Sequence, residues 1–103
     1  MKDNAGRIQD CILELLAQRA PEASICPSEV ARRLAGDDGP WRDWMAPVRH
    51  IAQDLAVSGL IEITQGAAVL PPQGPYRGPV RLRRGANFAA QAHSQQESHP
   101  FKT

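Results

Sequence analysis

The hydrophobic period of this chain changes once, at Gly59, from that of a helix to that of a strand. Most of the chain before the switch has to be built from helices, and the domain after it from a ribbon. Ile8, Cys11, Ile12, Leu15 and Leu16 gather on one face of a helix predicted from Ala5 to Arg19, with Arg7, Asp10, Glu14 and Gln18 on its wet side. Pro21 stops that helix soon after. A second begins at Pro27, whose missing N–H costs nothing in a first turn, and ends at Gly36. It buries Val30, Ala31 and Leu34 and leaves Arg32 and Arg33 outside. Glu29 stands where a carboxylate can reach back to the Cys26 amide. Cys26 lacks a side-chain oxygen, so only half of that capping box is available. The third helix carries Trp44, Val48, Ile51, Ala52 and Leu55 on one side. Pro47 cannot sit inside an unbroken ladder, which predicts a short turn over residues 41–45, a kink, and a main helix from Pro47 to Ser58.

Beyond Gly59, Ile61 and Ile63 alternate with Glu62 and Thr64 as in a half-buried strand. Gln65-Gly66 starts a predicted loop that runs through the Pro/Gly-rich stretch to Tyr76. A second strand is expected from Pro79 to Arg83, with Val80 and Leu82 inward. Ser24-Ile25-Cys26 is long enough for only a single ladder contact. Two strands alone are marginal, so the hairpin has to pack on the helices. From Ala86 the composition turns to Ala, Gln, Ser and His. The expected organisation is one α+β domain over residues 1–85 and a disordered polar tail over 86–103. A chain of 103 residues, 42% apolar, supports one such core and no second domain.

No apolar run is long enough to span a bilayer, and Met1-Lys2-Asp3-Asn4 leads straight into a helix without a signal-peptide stretch. The expected location is the cytoplasm. Cys11 and Cys26 do not form a disulfide framework and are read as reduced thiols. Enzymatic readings are poor. Cys26 at a helix start is the best nucleophile candidate, yet no histidine lies near it in the chain, and no phosphate loop or nucleophile elbow occurs. A metal would need Cys11, Cys26, His50, His93 and His99 to converge from distant positions. No cofactor and no metal are expected.

The order helix, short strand, helix, helix, two-stranded hairpin is that of a winged helix-turn-helix domain. Cys26-Pro27-Ser28-Glu29-Val30-Ala31-Arg32, Trp41-Arg42, Pro47-Val48-Arg49, Gly59-Leu60-Ile61-Glu62-Ile63-Thr64 and Arg77-Gly78-Pro79-Val80-Arg81-Leu82 together resemble an uncharacterised bacterial family of small winged-helix domains. The resemblance spans roughly residues 6 to 84 and is specific as a set, though no single piece is. It implies a three-helix bundle with a two- to three-stranded antiparallel wing, and no settled biochemical role.

In winged helices of this kind the third helix enters the major groove and the wing lies along phosphate. That analogy makes Arg42, Arg49, His50 and Gln53 the base-facing candidates. Arg49 and Gln53 are neighbours on one helix face, and their side chains suit guanine and adenine edges respectively. Asp43 and Asp54 oppose this, since they bring the helix to neutrality. Arg77, Arg81, Arg83 and Arg84 form a stretch without an acidic residue, and four phosphate contacts there correspond to a salt slope of roughly −3.6 on duplex DNA. Glu62, on the polar side of the partner strand, competes for one of these arginines. The net charge of +1 does not favour DNA by itself. Trp41 and Tyr76 are candidates for stacking on a base or anchoring a protein. Two readings remain: a duplex-DNA module working through the third helix and wing, or a protein-interaction module, self-associating or docking on a partner, that binds no DNA.

Overall fold

A computed structural model of the chain describes residues 4–74 and 76–88. It contains three α-helices, α1 (Asn4–Ala17), α2 (Pro27–Ala35) and α3 (Met45–Val57), and four strands, β1 (Ser24–Ile25), β2 (Ile61–Gln65), β3 (Ala68–Leu70) and β4 (Arg81–Arg84). The strands form one antiparallel sheet in the order β1-β4-β2-β3, which confirms the α+β class. The apolar stripes meet where the helical period requires. Ile12 and Leu16 of α1, Val30 of α2, Val48 of α3, and Ile25 and Leu82 of the sheet are fully enclosed. The inward residues of β2 and β4 fall opposite each other, Ile63 against Leu82, so the helices cover one face of the sheet.

Several boundaries differ from expectation, each for a local reason. α1 ends at Ala17, and the chain tightens through an Arg19 amide donating to the Leu16 carbonyl, a bond one residue shorter than those of the α ladder. Trp41–Trp44 is a 3₁₀ turn, and α3 runs unbroken from Met45 rather than from Pro47. Pro47 is thereby the third residue of α3, where its missing N–H has no intrahelical acceptor to lose, so no kink arises there. β1 makes two ladder positions, Ser24↔Arg83 and Ile25↔Leu82, not one. β3 lies inside the stretch expected to be loop. It comes after a two-residue turn at Gly66-Ala67, with Gly66 at φ 60°, and its Ala68 and Val69 are exposed. A three-residue edge strand exposed except at Leu70 is too short to give an alternating signal. β4 starts at Arg81, two residues later than expected.

The described fold also continues past residue 85. Phe88 is buried, the Asn87 amide donates to the Gly59 carbonyl at 2.8 Å, and the Asn87 side chain donates to the Ser58 carbonyl at 2.9 Å. Residues 86–88 thus belong to the packed domain. The rest of the expected tail, 89–103, lies outside the described residues. No helix among the described residues is long and apolar enough to cross a membrane.

Candidate nucleic-acid interface

The two halves of the expected site, third helix and wing, are in contact. Gln53 of α3 donates from Nε2 to the Pro72 carbonyl at 3.2 Å, and Tyr76 donates its hydroxyl proton to the Pro71 carbonyl at 2.7 Å. The first ties the long β3–β4 connection to α3, and the second closes that connection on itself. Arg49, Ala52 and Tyr76 then line one shallow apolar cleft with Pro27, Val80 and Leu82. Farther along, Gln65 at the end of β2 donates to the carbonyls of Arg77 and Pro79, the latter at 3.1 Å, and holds Gly78 at φ 77° between them. Arg77 is exposed on this braced loop, beside the Tyr76 that meets α3.

The arginines of the described residues fall into two groups by what their N–H donors do. Arg81, Arg83 and Arg84 are committed to the protein. Arg81 donates to the hydroxyl of Ser24 at 2.5 Å and to its carbonyl at 2.9 Å. Arg83 donates to Glu62 at 2.8 Å, as the competing reading of that pair anticipates. Arg84 reaches the C-terminal end of α1, donating to the carbonyls of Leu16 at 3.0 Å and Arg19 at 2.8 Å, while its guanidinium lies 4.7 Å from the centre of the Phe88 ring. Alternation already puts Arg84 on the side of Leu82, facing the helices, which the run of arginines in the sequence conceals.

Arg42, Arg49 and Arg77 are exposed, and their guanidinium groups make no hydrogen bond or ion pair with another described residue. Arg32, absent from the sequence-derived site, joins them. Its guanidinium carbon lies 4.4 Å from the centre of the Trp41 ring, and that of Arg42 lies 4.6 Å from the same centre. Trp41 is half-buried between α2 and α3, and Trp44 is likewise half-buried against the core with Arg7 over its ring. His50 is exposed and 3.9 Å from Asp54, one turn away. Gln53 is partly buried and its amide nitrogen braces the loop, which leaves its oxygen as the atom able to meet a ligand.

Cys26 precedes α2 with its sulfur 3.1 Å from the Ser28 hydroxyl. Burial pushes its thiol up, but hydrogen bonds from Ser28 and from the amides of Ser28 and Glu29 outweigh this, with Arg81 adding attraction, so the net shift is downward. Cys11 is shifted up, chiefly by burial. Glu29 is held below its ordinary value, first by the hydrogen bond from Arg19. The nearby Cys26 amide lowers it a little further, on the side where half a capping box would act. Among the described residues, no three His, Cys, Asp or Glu side chains gather as a metal site would require.

Residues 5–85 match the family model described as "Protein of unknown function (DUF3253)". No curated protein matches the chain.

Proposed function

Because the chain belongs to this family, whose description assigns no activity, its role has to be read from geometry, and we propose that it is a winged-helix module that binds duplex DNA through α3 and the β3–β4 connection. The winged-helix assignment rests on the path of the chain. A strand between the first two helices pairs with the last strand, and the ribbon comes after the third helix. The observation that carries the DNA reading is the cleft shared by Arg49 and Tyr76. It sets an unpaired helix cation beside a loop bearing another, Arg77, and two side-chain amides brace that loop. Arg49 takes the role of base contact, where its fork suits a guanine edge, with Arg42 and His50 nearer the phosphates and Arg77 on the backbone beside the groove. Arg81, Arg83 and Arg84 have structural partners, so the salt slope of the complex comes from the helix arginines and Arg77 rather than from β4.

A protein-binding alternative has its own support. Val69 is 52% exposed on β3, an edge strand whose outer side has no described partner, and Val57 is 68% exposed at the end of α3. The two readings separate in one titration. Isotope-labelled protein mixed with a generic duplex at low and at moderate salt should move the amides of residues 46–53 and 76–78, more so at low salt. Unchanged spectra at both salts would refute DNA binding. Sedimentation would then show whether the chain pairs with itself.

A further inference from the structure

We infer that Arg32, Trp41 and Arg42 form a two-arginine clamp for consecutive phosphates of the DNA strand flanking the α3 site, an inference that rests on the DNA-binding reading. Stacking leaves the donors of an arginine free. A guanidinium over an indole face is held by the ring quadrupole, while its five N–H donors lie in its own plane and still point outward. Arg81, Arg83 and Arg84 are fixed by hydrogen bonds and have spent part of their donor set on the protein. Arg32 and Arg42 are fixed by one ring and have not.

The spacing is set by the same ring. Both guanidinium carbons lie within 4.6 Å of one centroid, so the charges cannot be more than about 9 Å apart. Two like charges at that range repel, modestly in water and more beside protein, and an anion between or alongside them relieves the repulsion. Asp37 borders the recess next to Arg32 and Trp41, yet makes no ion pair with either arginine. Successive phosphates of one DNA strand are close neighbours, so two cations held within this bound can each meet one of an adjacent pair. The elements place the clamp suitably. Arg32 is in the last turn of α2, and Arg42 is in the 3₁₀ turn that leads directly into α3. Trp41 is the positioning residue: it holds both side chains at once, which lowers the entropy lost on binding.

The test uses the full chain and a generic duplex, with affinity measured across a salt series. Replacing both arginines, Arg32→Gln with Arg42→Gln, should reduce the slope of log K against log salt by about 1.8. Arg83→Gln, which removes a cation already paired with Glu62, should leave the slope nearly unchanged. Trp41→Leu keeps both charges, so it should weaken binding with little change of slope, and Trp41→Phe should restore much of the loss. Urea midpoints of all variants exclude unfolding as the cause. Binding by the double variant with an unaltered slope would overturn the clamp while leaving DNA binding intact. Failure of the unmodified chain to bind any duplex would overturn both.

Discussion

Removing the Arg84 side chain should cost this domain several times more stability than removing that of Arg83, although the two are adjacent arginines of one strand. Arg84 donates to the carbonyls of Leu16 and Arg19 at 3.0 and 2.8 Å, and more weakly to that of Ala17 at 3.5 Å. A helix ends with carbonyls that lack intrahelical partners, and a cation there also meets the negative end of the helix dipole. Hydrogen bonds to a charged group contribute about 1.5–3 kcal/mol each. The two short ones share a single guanidinium and do not add fully, so a net loss of roughly 2–4 kcal/mol is expected for Arg84→Ala. Arg83 instead forms an ion pair with Glu62 in which both side chains are at least a third exposed, and Arg83→Ala should cost at most about 1 kcal/mol. In a domain of this size each kcal/mol moves the melting temperature by about 4–8 °C, so the two variants should differ by roughly 5 °C or more. Urea unfolding monitored by circular dichroism gives both free energies. Arg84→Lys should fall between them, keeping the charge and losing the fork. Equal losses for Arg83→Ala and Arg84→Ala would show that the α1 carbonyls do not depend on Arg84, and the assignment of Arg84 to the end of α1 would fail with it.

Three other outcomes are expected from the same set of contacts. Phe88 is only 5% exposed, so Phe88→Ala, or a chain ended after Gly85, should lose about 3–5 kcal/mol, measured by the same denaturation. Gly85→Ala should also be harmful, because the added carbon would overlap the Gly59 carbonyl oxygen, and backbone cannot step aside cheaply; a cost of about 1–3 kcal/mol or more is expected from thermal unfolding. In mass-resolved alkylation at neutral pH, Cys26 should react ahead of Cys11, whose modification should wait for unfolding, since the first thiol is shifted down and the second up.

The helices are legible in the sequence because their signals are local. Apolar spacing, Pro27 and Gly36 set the frame of α1 and α2, and the buried faces lie where that spacing puts them. The ribbon is legible only where one face is buried. β2 alternates and announces itself; β3 is an exposed edge, and nothing in Ala68-Val69-Leu70 distinguishes it from loop. The candidate site is the least legible part, because charge in a sequence does not say where a long side chain goes. Four arginines near the end of the domain read as one patch, yet three of them turn to Ser24, Glu62 and the end of α1. Ser24 lies 57 residues from Arg81, and Leu16 lies 68 from Arg84, so neither partner is visible in any local window. Arg32 is hidden for the converse reason: it reads as one solvated charge on α2 until the fold places Trp41 beneath it.

The pairing of Arg19 with Glu29 ties the stability of the helical layer to pH. The two side chains, each about a third exposed, join the end of α1 to the first turn of α2. Glu29 titrates below its ordinary value in the folded chain, so the folded state binds its proton less readily than the unfolded state does. The stabilisation from this group is therefore complete above the ordinary carboxylate range and is lost as pH falls through the lowered folded value. Exposure keeps it small, no more than about 1 kcal/mol. Glu29→Gln should remove that increment at neutral pH and narrow the gap to the unmodified chain as both are acidified, in urea midpoints taken across the acidic range. The nearby Cys26 amide also favours the charged carboxylate, so neutralising Glu29 changes the electrostatics at the start of α2 beside the Cys26 thiol. Alkylation of Cys26 in the Glu29→Gln variant should accordingly differ from the unmodified chain at neutral pH. An unchanged midpoint and an unchanged alkylation rate would together show that the helix start is held by Pro27 and packing alone.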